Sequence, residues 1–186
     1  MGNWILDRFL TGTISVNKGQ PVLLKRIPYM MFPARSMAAF AQELSKEFSD
    51  DFLFDLGYDA GNLSSEEFVE KLGWIGKSLI HKKELVFRML GVMGFGRVDI
   101  RRWNAKDNVM LIRVDKHPVI NHAITLYGKK ERNSVFSRGI YSAHAANEFG
   151  VTHCKFIETK SMSQGDKFFE WSHNYFDKKG KKIKKS

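Results

Sequence analysis

The spacing of apolar residues changes repeatedly along this chain, and the order of those changes does most to limit its fold. Near the N-terminus Ile14, Val16, Val22 and Leu24 give strand character to two extended runs on either side of Asn17-Lys18-Gly19-Gln20. A period of two puts neighbouring side chains on opposite faces, and glycine supplies the bend, so this stretch predicts a hairpin. Pro28 confines the second strand to an edge or to an end. From Pro33 the period becomes helical, with Met37, Phe40, Ala41, Leu44 and Phe48 three or four apart. A second helix is expected from about Ser49 through Asn62, with Phe52, Leu56 and Ala60 on one stripe. A short third helix follows from a capping box at Ser64 and Glu67 to about Leu72. Another amphipathic helix carries Leu79, Ile80, Leu85, Val86, Met89 and Leu90, and stops in Gly91, Gly94 and Gly96.

The second half of the chain returns to strand spacing. "RVDIRRW", "NVMLIRVD" and "INHAITLYG" read as strands, and "NAKDN" as the turn between the first two. "NSVFSRGIYSAHAANEFG" reads as a helix, capped by Asn133 or Ser134 and stopped by Gly150. "KFIETKSMSQGDKFFEW" closes the series as two strand-like runs around a polar turn. The order is hairpin, helices, strands, helix, hairpin. Strands joined by short turns pair antiparallel. The fold class is therefore α+β, with helices packed on a mostly antiparallel sheet. With 186 residues, 43% of them hydrophobic and 15 of them Phe, the chain can bury a sizeable core. One domain is expected over residues 1–176, followed by a disordered lysine-rich tail over 177–186.

That tail holds Lys178, Lys179, Lys181, Lys182, Lys184 and Lys185, and without these six the net charge falls from +10 to +4. A lysine run is either a solvated end or a weak, salt-sensitive contact to anionic membrane or nucleic acid. The opening "MGNWILDRFLTG" is not read as a secretory signal, because Asp7 and Arg8 interrupt its apolar run. Leu6 stands where a myristoylation motif needs Ser or Thr. No run is long enough for a membrane span. Cys154 is the only cysteine, so no intrachain disulfide forms, and a reducing, cytoplasmic setting is expected.

Residue by residue, the chemistry is sparse. "GVMGFG" follows a helix and precedes a strand, the reverse of a dinucleotide-binding loop, so it cannot present a helix N-terminus to a phosphate. His81, His117, His122, His144, His153 and His173 make no metal-ligating spacing. Cys154 shares a strand face with Phe156, away from His153, and reads as a buried, inert thiol. Asp50-Asp51 and Glu66-Glu67 suit the first turns of helices. Small residues stand four apart at Gly57 and Gly61, and at Gly139 and Ala143. Glycine inside a helix costs about 0.5–1 kcal/mol against alanine. Either tight helix packing offsets that cost, or a dimer face or pocket wall does.

"DLGYDAGN", "NSVFSRGIYSAHAANEFG" and "FIETKSMSQGDKFFEW", in that order, resemble the 4-vinyl reductase domain family over roughly residues 20–175. That family is related in fold to subunits of the TRAPP tethering complex and to aromatic-sensing domains of bacterial activators. The most specific piece is Glu158, Thr159, Gly165, Asp166 and Trp171. Many relatives carry two cysteines that help a glutamate hold zinc; Ser161 and Phe169 stand at those positions here. The expectation is a hairpin held by packing of Phe168, Phe169 and Trp171, with no metal.

The resemblance implies a non-catalytic, often dimeric, domain that binds a small apolar or aromatic molecule and needs no cofactor. Trp74, Phe87, Met89, Trp103 and Tyr141 are the candidate ligand-binding walls, with His81 and His144 as polar contacts; simple core packing is the competing account of each. A stand-alone sensor or carrier is one reading. A protein-interaction or scaffold module with the basic tail on anionic membrane or nucleic acid is the other. No nucleophile, metal set or cofactor loop emerges, so an enzyme is not expected.

Overall fold

The computed structural model describes residues 14–17, 20–23, 27–28, 33–72, 86–87, 89–104 and 106–173. The lysine tail lies outside them. Near the N-terminus β1 (Ile14–Asn17), β2 (Gln20–Leu23) and β3 (Ile27–Pro28) form a small antiparallel sheet. Asn17 pairs with Gln20, in keeping with the expected hairpin; Lys18 and Gly19 lie outside the described residues. Pro28 lies in the short third strand rather than at the end of the second.

Two helices come next, α1 (Ala34–Glu47) and α2 (Asp50–Leu72). Asp50 and Asp51 sit in the first turn of α2, where the exposed N–H groups favour acidic side chains. The helix is not broken at residue 62. Ser64 does not cap a new helix; its hydroxyl donates back to the Gly61 carbonyl at 3.0 Å and contacts His144. A serine bonded within its own helix leaves the helix free to run on.

A single π-type turn over Gly91–Phe95 follows the helical residues 86, 87, 89 and 90, and Gly94 and Gly96 adopt positive φ before the chain enters a strand. At Gly96 a side chain would meet the Asp115 carbonyl oxygen and the His117 Cα, both at 2.9 Å. The glycine run is thus a helix stop feeding a strand, as its order implied.

The main sheet contains β4 (Arg97–Asn104), β5 (Val109–Asp115), β6 (Ile157–Lys160) and β7 (Phe169–His173), all antiparallel in the order β4-β5-β7-β6. Between β5 and β6 lie α3 (Pro118–Tyr127) and α4 (Asn133–Phe149). The expected strand "INHAITLYG" is α3. Its N-terminus explains the difference: His117 is the cap residue, its ring accepts from the Ile120 N–H, and Pro118 takes the first helical position. β-branched residues favour strands only weakly, and the cap and proline outweigh them.

Capping of α4 also differs from expectation. Neither Asn133 nor Ser134 caps it; a Glu131 carboxylate oxygen accepts from both of their N–H groups, at 2.9 and 3.3 Å. Gly150 ends the helix in the left-handed conformation, as expected.

The core lies between α4 and the sheet. Met110, Ile112 and Val114 of β5 and Phe169 and Trp171 of β7 alternate inward, and each is fully buried. Cys154 and Phe156 are buried with them. On its other side α4 crosses α2 through the four-spaced small residues. An added Cβ at Gly57 would lie 2.1 Å from the Phe136 carbonyl oxygen, and one at Gly139 2.2 Å from that of Phe54. Tight helix packing is therefore what the glycines serve. Among the described residues no helix is long and apolar enough to cross a membrane.

Candidate functional site

Crowding on one side of α2 contrasts with space on the other. Here α1, α2, the N-termini of α3 and α4, and the turn at 93–95 border a partly open cavity of about 680 Å³. Its walls are apolar: Met37, Ala41 and Leu44 come from α1, Leu53, Leu56 and Ala60 from α2, and Phe95 and Phe136 close it. Met37, Ala41, Leu44, Leu56 and Ala60 belong to the helical periods read in the sequence, whereas Leu53 was not singled out there.

The polar members of the wall are few. His117 is 1% exposed; its Nε2 lies 3.1 Å from the Ser137 hydroxyl. Burial depresses its pKa to about 3, so the ring is neutral. Because its Nδ1 accepts the Ile120 N–H, the neutral ring carries its proton on Nε2 and donates to Ser137. Arg132 stands at the edge. Its Nε donates to Asp50 at 2.6 Å, and its two terminal nitrogens to the carbonyls of Phe48, at 2.9 Å, and of Ser45. The guanidinium thereby joins the end of α1 to the start of α2. Asn133 is 3% exposed, and neither its side-chain oxygen nor its nitrogen has a partner among the described residues. A buried amide left unpaired costs about 1–3 kcal/mol. Only its place at the start of a helix marked Asn133 in the sequence, and that suggested a cap.

The residues expected to line a ligand site fall elsewhere. Phe87 and Tyr141 stack in the core, their ring centroids 5.9 Å apart, and Tyr141 also meets Trp171 at 5.4 Å. Met89 is buried among them. Trp103 is partly buried on β4 and stacks on Phe149 at 4.6 Å. His144 is buried under Phe68, its Nε2 3.1 Å from the Ser64 hydroxyl, and burial lowers its pKa to about 4. Trp74 and His81 lie outside the described residues. One connection links this cluster to the cavity: the Tyr141 hydroxyl donates to the Phe95 carbonyl at 2.6 Å, and Phe95 forms part of the cavity wall.

The C-terminal hairpin is braced on two faces. Phe169 and Trp171 point into the core, whereas Phe168 lies on the outer face under the cations of Arg113 and Lys160, at 4.4 and 4.9 Å. Glu158 accepts from the Trp171 indole N–H at 3.1 Å. Ser161 and Phe169 of the same hairpin supply no thiolate. No cluster of three or more His, Cys, Asp or Glu suited to a metal occurs among the described residues. The Cys154 thiol, raised in pKa by burial, is not a thiolate at neutral pH.

Fold and site together define an α+β domain with a helix-walled apolar cavity. No family model and no curated protein matches the sequence. Solved structures do match in fold. One is the phenol-responsive sensory domain of the transcription activator PoxR with phenol, at 12% identity and a TM-score of 0.69, over 93% of this chain and 90% of that one. Another is a trafficking protein particle complex subunit 3 from Naegleria fowleri, covalently bound to palmitic acid. It aligns at 15% identity and a TM-score of 0.55, over 75% of this chain and 90% of that one. The fold relationship implied by the sequence motifs is therefore present; at these identities the likeness is one of fold.

Proposed function

We propose that this protein is a non-catalytic binding domain for a small apolar or aromatic molecule, acting as a cytoplasmic sensor or carrier. The observation that carries the reading is the cavity of about 680 Å³ beside α2, which lies within the size range of small-molecule sites and has mostly apolar walls. The phenol in the PoxR sensory domain and the palmitic acid on the trafficking subunit support it, since both folds accommodate apolar molecules. The His117–Ser137 pair argues against hydrolysis. A general base must take the serine proton, and here the histidine donates its own. Native mass spectrometry and thermal shift with butylbenzene test the proposal. Binding by the unaltered protein, lost in Ala41→Trp, is expected. No shift with any apolar probe would count against it.

A second reading is an interaction module, a homodimer included. Its support is the exposed apolar side chains of α1 and α2: Phe40 (59%), which also borders the cavity, Phe52 (45%) and Leu63 (69%), with Phe48 stacked on Phe52 at 4.3 Å. Light scattering on the double variant Phe52→Lys, Leu63→Lys decides whether that surface joins two copies. A monomer where the unaltered chain is dimeric supports the reading; an unchanged mass counts against it.

A further inference from the structure

We infer that the cavity selects neutral molecules whose polar group both donates and accepts a hydrogen bond, a primary carboxamide or an alcohol on an apolar body, with Asn133 as the group that reads it. The inference rests on the binding role proposed above and specifies the chemistry of the guest. Asn133 belongs to the cavity wall and is 3% exposed, with both side-chain polar atoms unpartnered among the described residues. An asparagine amide has two N–H donors and an oxygen acceptor. A carboxamide or hydroxyl can answer both. A carboxylate can only accept, so it would leave the Asn133 oxygen unpaired. As the wall stands the amide is covered, and rotation about its side-chain torsions would present it to a guest.

Charge points the same way. Arg132 is the only charged side chain among the described lining residues, and it is committed: Asp50 pairs its charge, and all three nitrogens donate. The N-terminus of α4, which opens at Asn133, would ordinarily favour an anion. Its first N–H groups are already taken by Glu131, a carboxyl that also accepts from the Ser163 hydroxyl. His117, buried and neutral, offers no positive charge either. An anion entering this space would lose its water and meet no free cation among the described lining residues.

The test uses the full chain with octanamide, 1-octanol, octanoate and butylbenzene, each titrated at neutral pH by displacement of a fluorescent apolar dye. Octanamide and 1-octanol are expected to bind at least tenfold tighter than octanoate. Asn133→Leu should weaken octanamide at least fivefold while butylbenzene binds as well or better. Equal binding of octanamide and octanoate, or indifference of octanamide to Asn133→Leu, would overturn the inference but leave the cavity reading intact. If butylbenzene and octanamide both fail to bind, the cavity reading falls and this inference with it. Should Asn133→Leu fail to fold, the ranking of probes on the unaltered chain still decides, and Asn133→Ser supplies the residue-level test.

Discussion

The two sides of α2 are built on opposite principles. Toward α4, Gly57 and Gly61 let backbone meet backbone, and a single added carbon would collide with carbonyl oxygens of Phe136 and Ile140. Toward α1, Leu53, Leu56 and Ala60 face the cavity instead. Carbonyls held in a helical ladder cannot move aside, whereas side chains around free volume can rotate. One side is therefore a fixed frame and the other can adapt to a guest.

The most damaging way to break this comparison is to fill the frame. Gly57→Ala and Gly139→Ala place Cβ atoms 2.1 and 2.2 Å from carbonyl oxygens. The helices must separate to admit them. Each variant is expected to lose about 3 kcal/mol of unfolding free energy in urea, despite a gain of about 1 kcal/mol in helix propensity. Unchanged stability would mean that the crossing is looser than the geometry requires.

Part of this frame was legible in the sequence and the place of the cavity was not. Glycines four apart inside a helical period are costly unless something touches them, so a close approach could be expected from the chain alone, but whether a second helix, a second copy or a ligand makes it could not. The antiparallel sheet, the buried Cys154 and Phe156, and the Gly150 helix stop were legible for similar local reasons. The cavity depends on how α1, α3 and the start of α4 are placed around α2, and no local period encodes that placement. Asn133 was misread because a helix-start asparagine ordinarily caps; here Glu131, two residues earlier, takes that role. The strand spacing of "INHAITLYG" misled because the decisive signal was His117-Pro118 just before it. Aromatic abundance drew the candidate site toward Phe87 and Tyr141, which the fold places at the core.

Acid should sharpen the contrast next. His117 and His144 are buried on the two sides of the frame, and burial lowers their pKa values from 6.5 to about 3 and about 4. Below pH 6.5 the unfolded chain binds protons that the folded chain refuses, so stability falls as pH falls toward those values. Each histidine is expected to remove about 1 kcal/mol between pH 6.5 and 5.5. His117→Asn keeps a capping acceptor and should abolish its share of the slope in urea melts at several pH values. A slope unaltered by that variant would show that His117 titrates freely.

Tyr141→Phe tests the link between core and cavity. It removes the donor to the Phe95 carbonyl, at 2.6 Å, while keeping the ring that stacks on Phe87. A loss of about 1.5 kcal/mol is expected, because a part-buried acceptor loses its partner. Binding of apolar probes should weaken with it, since Phe95 belongs to the cavity wall. Weaker folding with unaltered binding would separate the two regions.

The smallest expected effect on stability is also the most direct comparison, because it concerns adjacent residues. At Gly61 an added Cβ would lie 2.7 Å from the Ile140 carbonyl oxygen and 2.8 Å from the Ala143 Cβ. Ala60, one residue earlier, is exposed and borders the cavity. Ala60→Leu adds three carbons where Gly61→Ala adds one, and both replacements suit a helix. If the frame is rigid and the cavity open, the larger change is the milder one: Ala60→Leu should shift stability by less than about 0.5 kcal/mol yet reduce butylbenzene binding, while Gly61→Ala unfolds more readily. If Ala60→Leu destabilises as much as Gly61→Ala, the space beside Ala60 is already filled, and the two sides of α2 are alike after all.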